Sequence, residues 1–503
     1  MGMRDKLKKK KIRTKQVTNT FQGLPLTKEQ NEVIKCIQSN EDTKVQAPSG
    51  SGKTFTLEAA AEKMKRRKGI YLAFNKAIAD SAKDKFSKNV DCRTGHSVAF
   101  GQVAWPYKDR LSKITGTLIA NQIDIGNTEM YNTKASKGYI ILDTVRRFCF
   151  SSDTFIQTKH VPIIKGPYKE EHILAMREDI IPYANRVWED QINLKGKLPI
   201  THDTYVKLWH LSNPKIRKDF ILLDEAQDAN PVFLDIIKQQ DCQKVFVGDK
   251  FQQIYSWRGA QNAMELVDTK HSTYITQSFR FGDAIADMAN RVLQSYIHPD
   301  KAPPLIKGVS DKPGEVVYKS IPDPDVVICR TNAGVITNVF KYLELGTKIY
   351  VQGGVQSTIL MLKGAEDLQN GKKTYCPDLA LFNNWQEVVE CSETESGQDL
   401  KAFVQIIKQH GIPKLLDALH QIEPYSNRAE LTLTTGHRSK GLEWEKVQLY
   451  SDFPVASKER KLSQGEINLL YVSLTRALTT LDVSKCVALH DETLYNARNS
   501  FHR

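Results

Sequence analysis

The chain has 503 residues and a formal net charge of +13, a length that predicts two to four domains rather than one. Hydrophobic residues make up 40% and charged residues 26%, enough apolar material for large cores, which excludes wholesale disorder. No apolar run reaches the eighteen or so residues of a membrane helix, and none follows the basic start, which argues against a secretory signal. Residues 1–15 hold eight Lys and Arg against one acid, so the rest of the chain is only mildly basic and bulk charge by itself does not establish nucleic-acid binding. This head reads as a solvated arm, with a phosphate-gripping arm or a localisation signal as the other readings. The eight cysteines never fall within four residues of one another and the twelve histidines form no HExxH, so zinc-knuckle and iron–sulfur spacings are lacking and no structural metal is expected. Thiols scattered in this way suit a reducing compartment.

In chain order, residues 26–38 have helical spacing, with Val33, Ile34 and Ile37 on one side. A short strand over Thr43–Gln46, a Gly-rich turn, an Ala-rich helix from Lys53 to about Arg66 and a strand over Gly69–Phe74 follow. Strand–loop–helix–strand is the unit of a parallel α/β sheet. Residues 99–206 are less regular. Strand patterns return at Asp219–Leu223 and Lys244–Val247, then at Val316–Lys319 and Asp325–Cys329, where a second sheet begins. Residues 353–425 read as helical, residues 431–434 and 446–449 as strands, and residues 465–476 as a helix. The fold class is therefore α/β, with two lobes that each carry an insertion.

The turn after the first strand reads Ala47-Pro48-Ser49-Gly50-Ser51-Gly52-Lys53-Thr54. It follows a strand and opens a helix, the context a P-loop requires. Glycines let backbone N–H groups approach phosphate oxygens, and the helix N-terminus adds partial positive charge. In that role Lys53 meets the β- and γ-phosphates and Thr54 holds Mg²⁺; Ala47 stands where the strict pattern has Gly, and a Gly/Ser turn before an ordinary helix is the bland alternative. Downstream, Ile221-Leu222-Leu223-Asp224-Glu225-Ala226-Gln227-Asp228 places two carboxylates at the end of a buried strand. Paired with the P-loop, Asp224 becomes a second Mg²⁺ ligand and Glu225 the general base for the attacking water; an acidic strand-to-helix cap is the alternative.

The segment Gly248-Asp249-Lys250-Phe251-Gln252-Gln253-Ile254-Tyr255-Ser256-Trp257-Arg258-Gly259-Ala260 resembles the GDxxQxIYxWRGA motif of superfamily 1 helicases of the UvrD/Rep/PcrA type. Other motifs of that family follow its order: Leu26–Gln30, Leu72-Ala73-Phe74-Asn75-Lys76, Thr94-Gly95-His96-Ser97, Gln277-Ser278-Phe279-Arg280, Thr435–Trp444 and Leu470–Ala477. The wording is nearer still to the helicase part of F-box DNA helicases and small phage or bacterial relatives.

The resemblance implies two RecA-like P-loop lobes with parallel sheets, each with an inserted, mainly helical subdomain. It places the first lobe at residues 21–98 and 207–277 with an insertion at 99–206, behind a basic tail at 1–20. The second lobe takes 278–352 and 426–503, with an insertion at 353–425. It also implies roles: Gln30 reads adenine, Phe279 stacks on it, Gln252 senses the γ-phosphate, Glu443 accepts from the ribose, and Arg280 and Arg476 are arginine fingers, with an interface salt bridge as the alternative for each arginine. The P-loop is followed by Phe55 where the UvrD type has Arg, which suggests either an adenine held between two rings or a looser choice of nucleotide.

On the DNA side it implies contacts from Phe74, Asn75, His96, Tyr255, Trp257, Arg258 and His437. Aromatic side chains suit single strands because stacking tolerates any sequence. For Trp257 a core position is the alternative, and for His96 a satisfied loop histidine. Trp105, Trp188 and Trp209 read as core residues.

The implied function is ATP- and Mg²⁺-dependent movement on single-stranded or tailed duplex DNA, 3′→5′, in replication, recombination or repair. Single-strand-binding or recombination proteins are the expected partners, no membrane is involved, and a bacterial or phage-infected cytoplasm or nucleoid is the expected location ahead of a nucleus. A translocase that strips proteins without unwinding, an accessory or defence NTPase in a nuclease complex, and an ATP-switched DNA sensor remain as rivals.

Overall fold

The computed structural model describes residues 19–73, 75–164, 169–254, 262–393, 398–456 and 460–499. Two six-stranded parallel sheets organise it. The first contains β1 (Thr43–Gln46), β2 (Gly69–Ala73), β3 (Val90–Thr94), β4 (Phe220–Leu223), β5 (Gln243–Gly248) and β6 (His271–Tyr274), in the order β3-β2-β4-β5-β1-β6. The second contains β7 (Glu315–Val317), β8 (Val326–Cys329), β9 (Ile349–Val351), β10 (Leu431–Thr435), β11 (Trp444–Leu449) and β12 (Ala477–Asp482), in the order β9-β10-β8-β11-β12-β7.

Strands buried on both faces need continuous apolar runs. Central β4, Phe-Ile-Leu-Leu, and β8, Val-Val-Ile-Cys, are buried along their whole length. Helices cover both faces of each sheet. In the first lobe Val33, Ile34, Leu57 and Ala60 pack on one face and Val232, Ile236 and Trp209 on the other. In the second lobe the helix Gln464–Leu474 lies on one side with Val447 and Leu481, and the helix Asn332–Glu344 on the other with Val327 and Leu433.

The two insertions differ in kind. The first is mainly helical and has a core of its own, in which Ile141, Phe148, Val187 and Trp188 meet. The second consists of the helices Gln356–Gln369, Trp385–Ser392, Gln398–His410 and Ile412–His420. Its Leu362, Leu400, Val404 and Leu415 join the same cluster as Val327 and Leu433 of the sheet. It is an extension of the second lobe's core, not a separate one. The insertions also touch each other: Ser136 Oγ donates to Ala380 O at 2.7 Å, Lys373 Nζ donates to Asn132 O at 2.8 Å, and Leu381 packs on the first insertion's core.

Candidate nucleotide site and DNA face

Ligands of open parallel sheets gather at the carboxyl ends of the strands, and β1, β4 and β5 all deliver motif residues there. The turn after β1 carries Gly50 at φ +71° and Gly52 at φ +73°, left-handed conformations that favour glycine. A Cβ on Gly50 would come within 2.4 Å of Arg280 Cβ, so the turn needs glycine for space as well as for backbone freedom. Ala47 and Pro48 are buried beneath it. Ser51 Oγ is buried without a hydrogen-bond partner. Lys53 is the first residue of the helix Lys53–Lys63. Its Nζ lies 3.7 Å from Glu225 Oε1 and donates to Pro48 O at 3.4 Å.

Thr54 Oγ1 donates to Asp224 Oδ2 at 2.7 Å, and Tyr71 Oη, from β2, donates to the same oxygen at 2.8 Å. The register that places Tyr71 opposite Leu222 brings its hydroxyl to the end of β4. Burial, and next the charge of Glu225, push the Asp224 carboxyl up. Glu225 goes the other way. Burial works against its charge, but Lys53, Lys440, the Gln227 amide and Arg476 hold it down to about 2. Its backbone sits at φ +50°, ψ +43°, a strained conformation for a residue with a side chain.

Asp249, at the end of β5, is a junction. Its Oδ1 accepts from Gln46 Nε2 at 2.8 Å, and its Oδ2 accepts from Gln252 Nε2 at 2.8 Å and from Tyr471 Oη of the second lobe at 3.0 Å. Lys440, also from the second lobe, donates to Asp228 Oδ1 at 2.8 Å and to Gln252 O at 2.5 Å. Burial raises Asp228 to about 6 in spite of that lysine.

Arg280 and Arg476 converge on one atom. Arg280 donates to Ser49 Oγ, and Arg476 Nη2 donates to the same Oγ at 3.1 Å. Arg280 Nε pairs with Glu443 Oε2 at 2.9 Å. Arg476 is 1% exposed, and burial followed by the Arg280 charge lowers it to about 9. One carboxylate, Glu443 on Arg280, faces two adjacent cations, the half-buried Arg280 and the buried Arg476, and the surplus positive charge forms a receptor for an anion. Together with the orphaned Ser51 hydroxyl and the convergence of Thr54 and Asp224, this fits a magnesium-bound nucleoside triphosphate.

Above Gly52 lie Gln30, whose Nε2 would be 3.2 Å from a Cβ there, and the half-exposed ring of Phe279. Gln30 Oε1 accepts from the Thr27 N–H at 3.0 Å, while Thr27 Oγ1 accepts from the Gln30 N–H. This capping box makes the candidate base-reading residue part of a helix start. Phe55 meets Phe21 edge-on at 5.2 Å and packs on the first-lobe core.

A family model, the UvrD-like helicase C-terminal domain, matches residues 54–488. The chain belongs to the UvrD-like helicase family. Among similar proteins, F-box DNA helicase 1 of Gallus gallus is 30% identical over 93% of this chain and 50% of its own length. F-box DNA helicase protein 1 of Schizosaccharomyces pombe is 28% identical over 90% of this chain and 56% of its own. A probable DNA helicase II homolog of Mycoplasma pneumoniae is 35% identical over 51% of this chain. This UvrD-like chain thus spans about half the length of the first two relatives.

The residues of this UvrD-like chain expected to meet DNA come from both lobes. Asn75 caps the helix Lys76–Lys83, accepting from the Ile78 N–H at 2.9 Å. His96 follows the edge strand β3, with its Nε2 3.7 Å from Asp203 Oδ1. His437 sits in the short helix Gly436–Ser439, half-buried. A cavity of about 370 Å³ runs between the two regions, lined by Asp224, Glu225, Asp228, His96, Phe150 and Phe233. Phe74, Tyr255, Trp257, Arg258 and residues 1–18 of the basic tail lie outside the described residues.

Trp188 and Trp209 are buried, but Trp105 is 63% exposed, which corrects its reading as a core residue. It lies in the short helix Trp105–Arg110, whose inward side is taken by Tyr107 beside Ala104, so the indole is left on the outer side. Sequence reasoning assigned no role to Tyr71, Asp249 or Gln227. Asp249 stands within a recognised motif; Tyr71 reaches Asp224 only through strand pairing, which leaves no local pattern.

Proposed function

We infer that this chain is an ATP-driven motor on single-stranded DNA, with 3′→5′ polarity, that separates strands in replication, recombination or repair. The observation that carries this reading is the meeting of Arg280 and Arg476 at Ser49. The hydrolytic groups come from both lobes, so catalysis depends on how the lobes sit against each other. Arginine fingers of this kind are worth ~10³–10⁵ in rate.

Thr54 and Asp224 would hold magnesium, which when bound neutralises phosphate charge. Lys53 clamps the phosphates. Glu225 takes the proton of the attacking water. The cations that hold Glu225 ionised, Lys53 foremost, are the ones that phosphates attract. As each turns to phosphate, the carboxylate becomes more basic, so its strength as a base rises when fuel is bound. Gln252 shares Asp249 with Tyr471 of the second lobe, and Lys440 of the second lobe binds Asp228 and Gln252 O, which ties the state of the nucleotide to lobe position.

Strand displacement on 3′-tailed and 5′-tailed duplexes, beside ATPase with and without single-stranded DNA, tests this. Unwinding of the 3′-tailed substrate with DNA-stimulated ATPase is expected. Stimulated ATPase without unwinding would assign a protein-stripping translocase, and ATPase indifferent to DNA would overturn the motor.

A further inference from the structure

Four surface rings gather at the root of the first insertion. Tyr205 is their buried centre, at 2% exposure. The rings of His202, Phe100 and His96 lie 5.6, 6.0 and 6.4 Å from it. His202 Nδ1 and Tyr205 Oη are hydrogen-bonded at 3.0 Å. Phe100 in turn meets Trp105 at 6.3 Å and 84°. Lys108 Nζ stands 4.9 Å from the centre of the Trp105 ring.

A single exposed tryptophan needs no explanation. Here three rings are fixed on a shared buried tyrosine and the fourth, Trp105, is held through Phe100, so the geometry is set before anything binds. Phe100 meets the indole at a right angle and does not stack on it, and although Lys108 lies over the ring the side chain keeps most of its surface open. Lys108 brings a cation to the same spot. The nearby acids are Asp203, held by His96, and exposed Asp109. The row begins at His96, which also lines the cavity that reaches Glu225.

We propose that His96, Phe100, His202 and Trp105 form a stacking platform for the bases of single-stranded DNA, which carries the track off the first sheet and onto the insertion. Unstacked bases present flat apolar faces joined by phosphates, and rings interleaved with a lysine match both features. The proposal rests on the motor reading above and adds a place where the strand runs.

The test uses the full chain and fluorescent oligo-dT of graded length, with wild type, Trp105→Ala and Trp105→Phe compared by anisotropy. Trp105→Ala is expected to bind long oligomers roughly 5- to 100-fold more weakly. It should bind the shortest tight-binding oligomers as wild type does, and Trp105→Phe should recover part of the loss. One abasic nucleotide, moved along the oligomer, should find a position that weakens wild type but leaves Trp105→Ala unchanged, as expected of two partners in one contact. DNA-free ATPase should be unaltered. Equal affinity of wild type and Trp105→Ala at every length, or the same loss at every length, overturns the platform and leaves these rings to a protein partner or to folding. Wild type that binds no oligomer at all would instead overturn the motor reading.

Discussion

Lys53 and Glu225 stand 3.7 Å apart, yet their removal should have distinct effects. Lys53→Ala takes away the cation that offsets developing phosphate charge, and ATPase should fall to background with the circular dichroism spectrum unchanged. Glu225→Gln keeps Thr54 and Asp224 in place, so a fluorescent ATP analogue should still bind with magnesium while turnover stops. Loss of nucleotide binding in Glu225→Gln would make that side chain structural. Tyr71 tests a subtler point. Its hydroxyl and that of Thr54 both donate to Asp224 Oδ2, and a net hydrogen bond is worth about 1 kcal/mol. Tyr71→Phe should leave the carboxylate less firmly aimed and raise the magnesium concentration for half-maximal ATPase several-fold, with little change in ATP binding without metal. An unaltered magnesium dependence would reduce Tyr71 to packing.

Secondary structure was most legible where burial is deepest. Phe220–Leu223 and Val326–Cys329 are central strands, and their apolar runs stand out in the sequence. Thr43–Gln46 coincides with its reading, helped by the glycine turn after it. Within the two six-stranded sheets, the strands that escaped notice are Val90–Thr94, His271–Tyr274, Ile349–Val351 and Ala477–Asp482. Three of these four lie at sheet edges, and His271–Tyr274 alternates between half-buried and exposed positions, with none buried. An edge strand draws its stability from one neighbour and needs no long apolar run, so it leaves a weak pattern. The candidate site divides likewise: motif residues are visible as words, whereas Tyr71 is visible only once β2 pairs with β4.

Helix contacts within the first insertion carry their own expectation. A Cβ on Gly138 would lie 2.1 Å from Gly116 O, so the helices Gly116–Gln122 and Lys134–Phe150 meet where no side chain fits. Gly138→Ala should force them apart at a cost of roughly 1–3 kcal/mol, larger than the ~1 kcal/mol that Ala gains in a helix. Limited proteolysis should then cut the insertion faster, while DNA-free ATPase persists. Unchanged protease resistance would show that the crossing can relax.

At the scale of the whole molecule, buried polar groups that titrate flank the junction of the first insertion with its lobe, which Lys207 Nζ crosses by donating to Ser151 O at 2.7 Å. His210 Nε2 and Asp235 Oδ2 are 2.7 Å apart, with Lys207 Nζ 3.4 Å from His210 Nδ1. His160 Nε2 meets Asp153 Oδ2 at 2.8 Å. Burial lowers both histidines in spite of their carboxylate partners. The folded protein therefore binds these protons less readily than the unfolded chain, and stability rises with pH up to the unfolded value of about 6.5. The contribution is complete above that pH and is lost as pH falls from 6.5 through the folded values. Tm should drop between pH 7.5 and 5.5, and His210→Gln should shrink the drop. The same drop in His210→Gln would place the pH dependence elsewhere.

The capping box at Thr27 turns one backbone amide into a reporter of base identity. While Gln30 Oε1 accepts from the Thr27 N–H, that proton is sheltered from solvent. An adenine that claims the same carboxamide leaves the amide to exchange with deuterium, and the helix start frays by one bond. Hydrogen exchange at Thr27 should therefore quicken with ATP and magnesium but stay slow with a pyrimidine triphosphate. Equal protection under both would mean that Gln30 keeps its cap and offers the base its Nε2 alone.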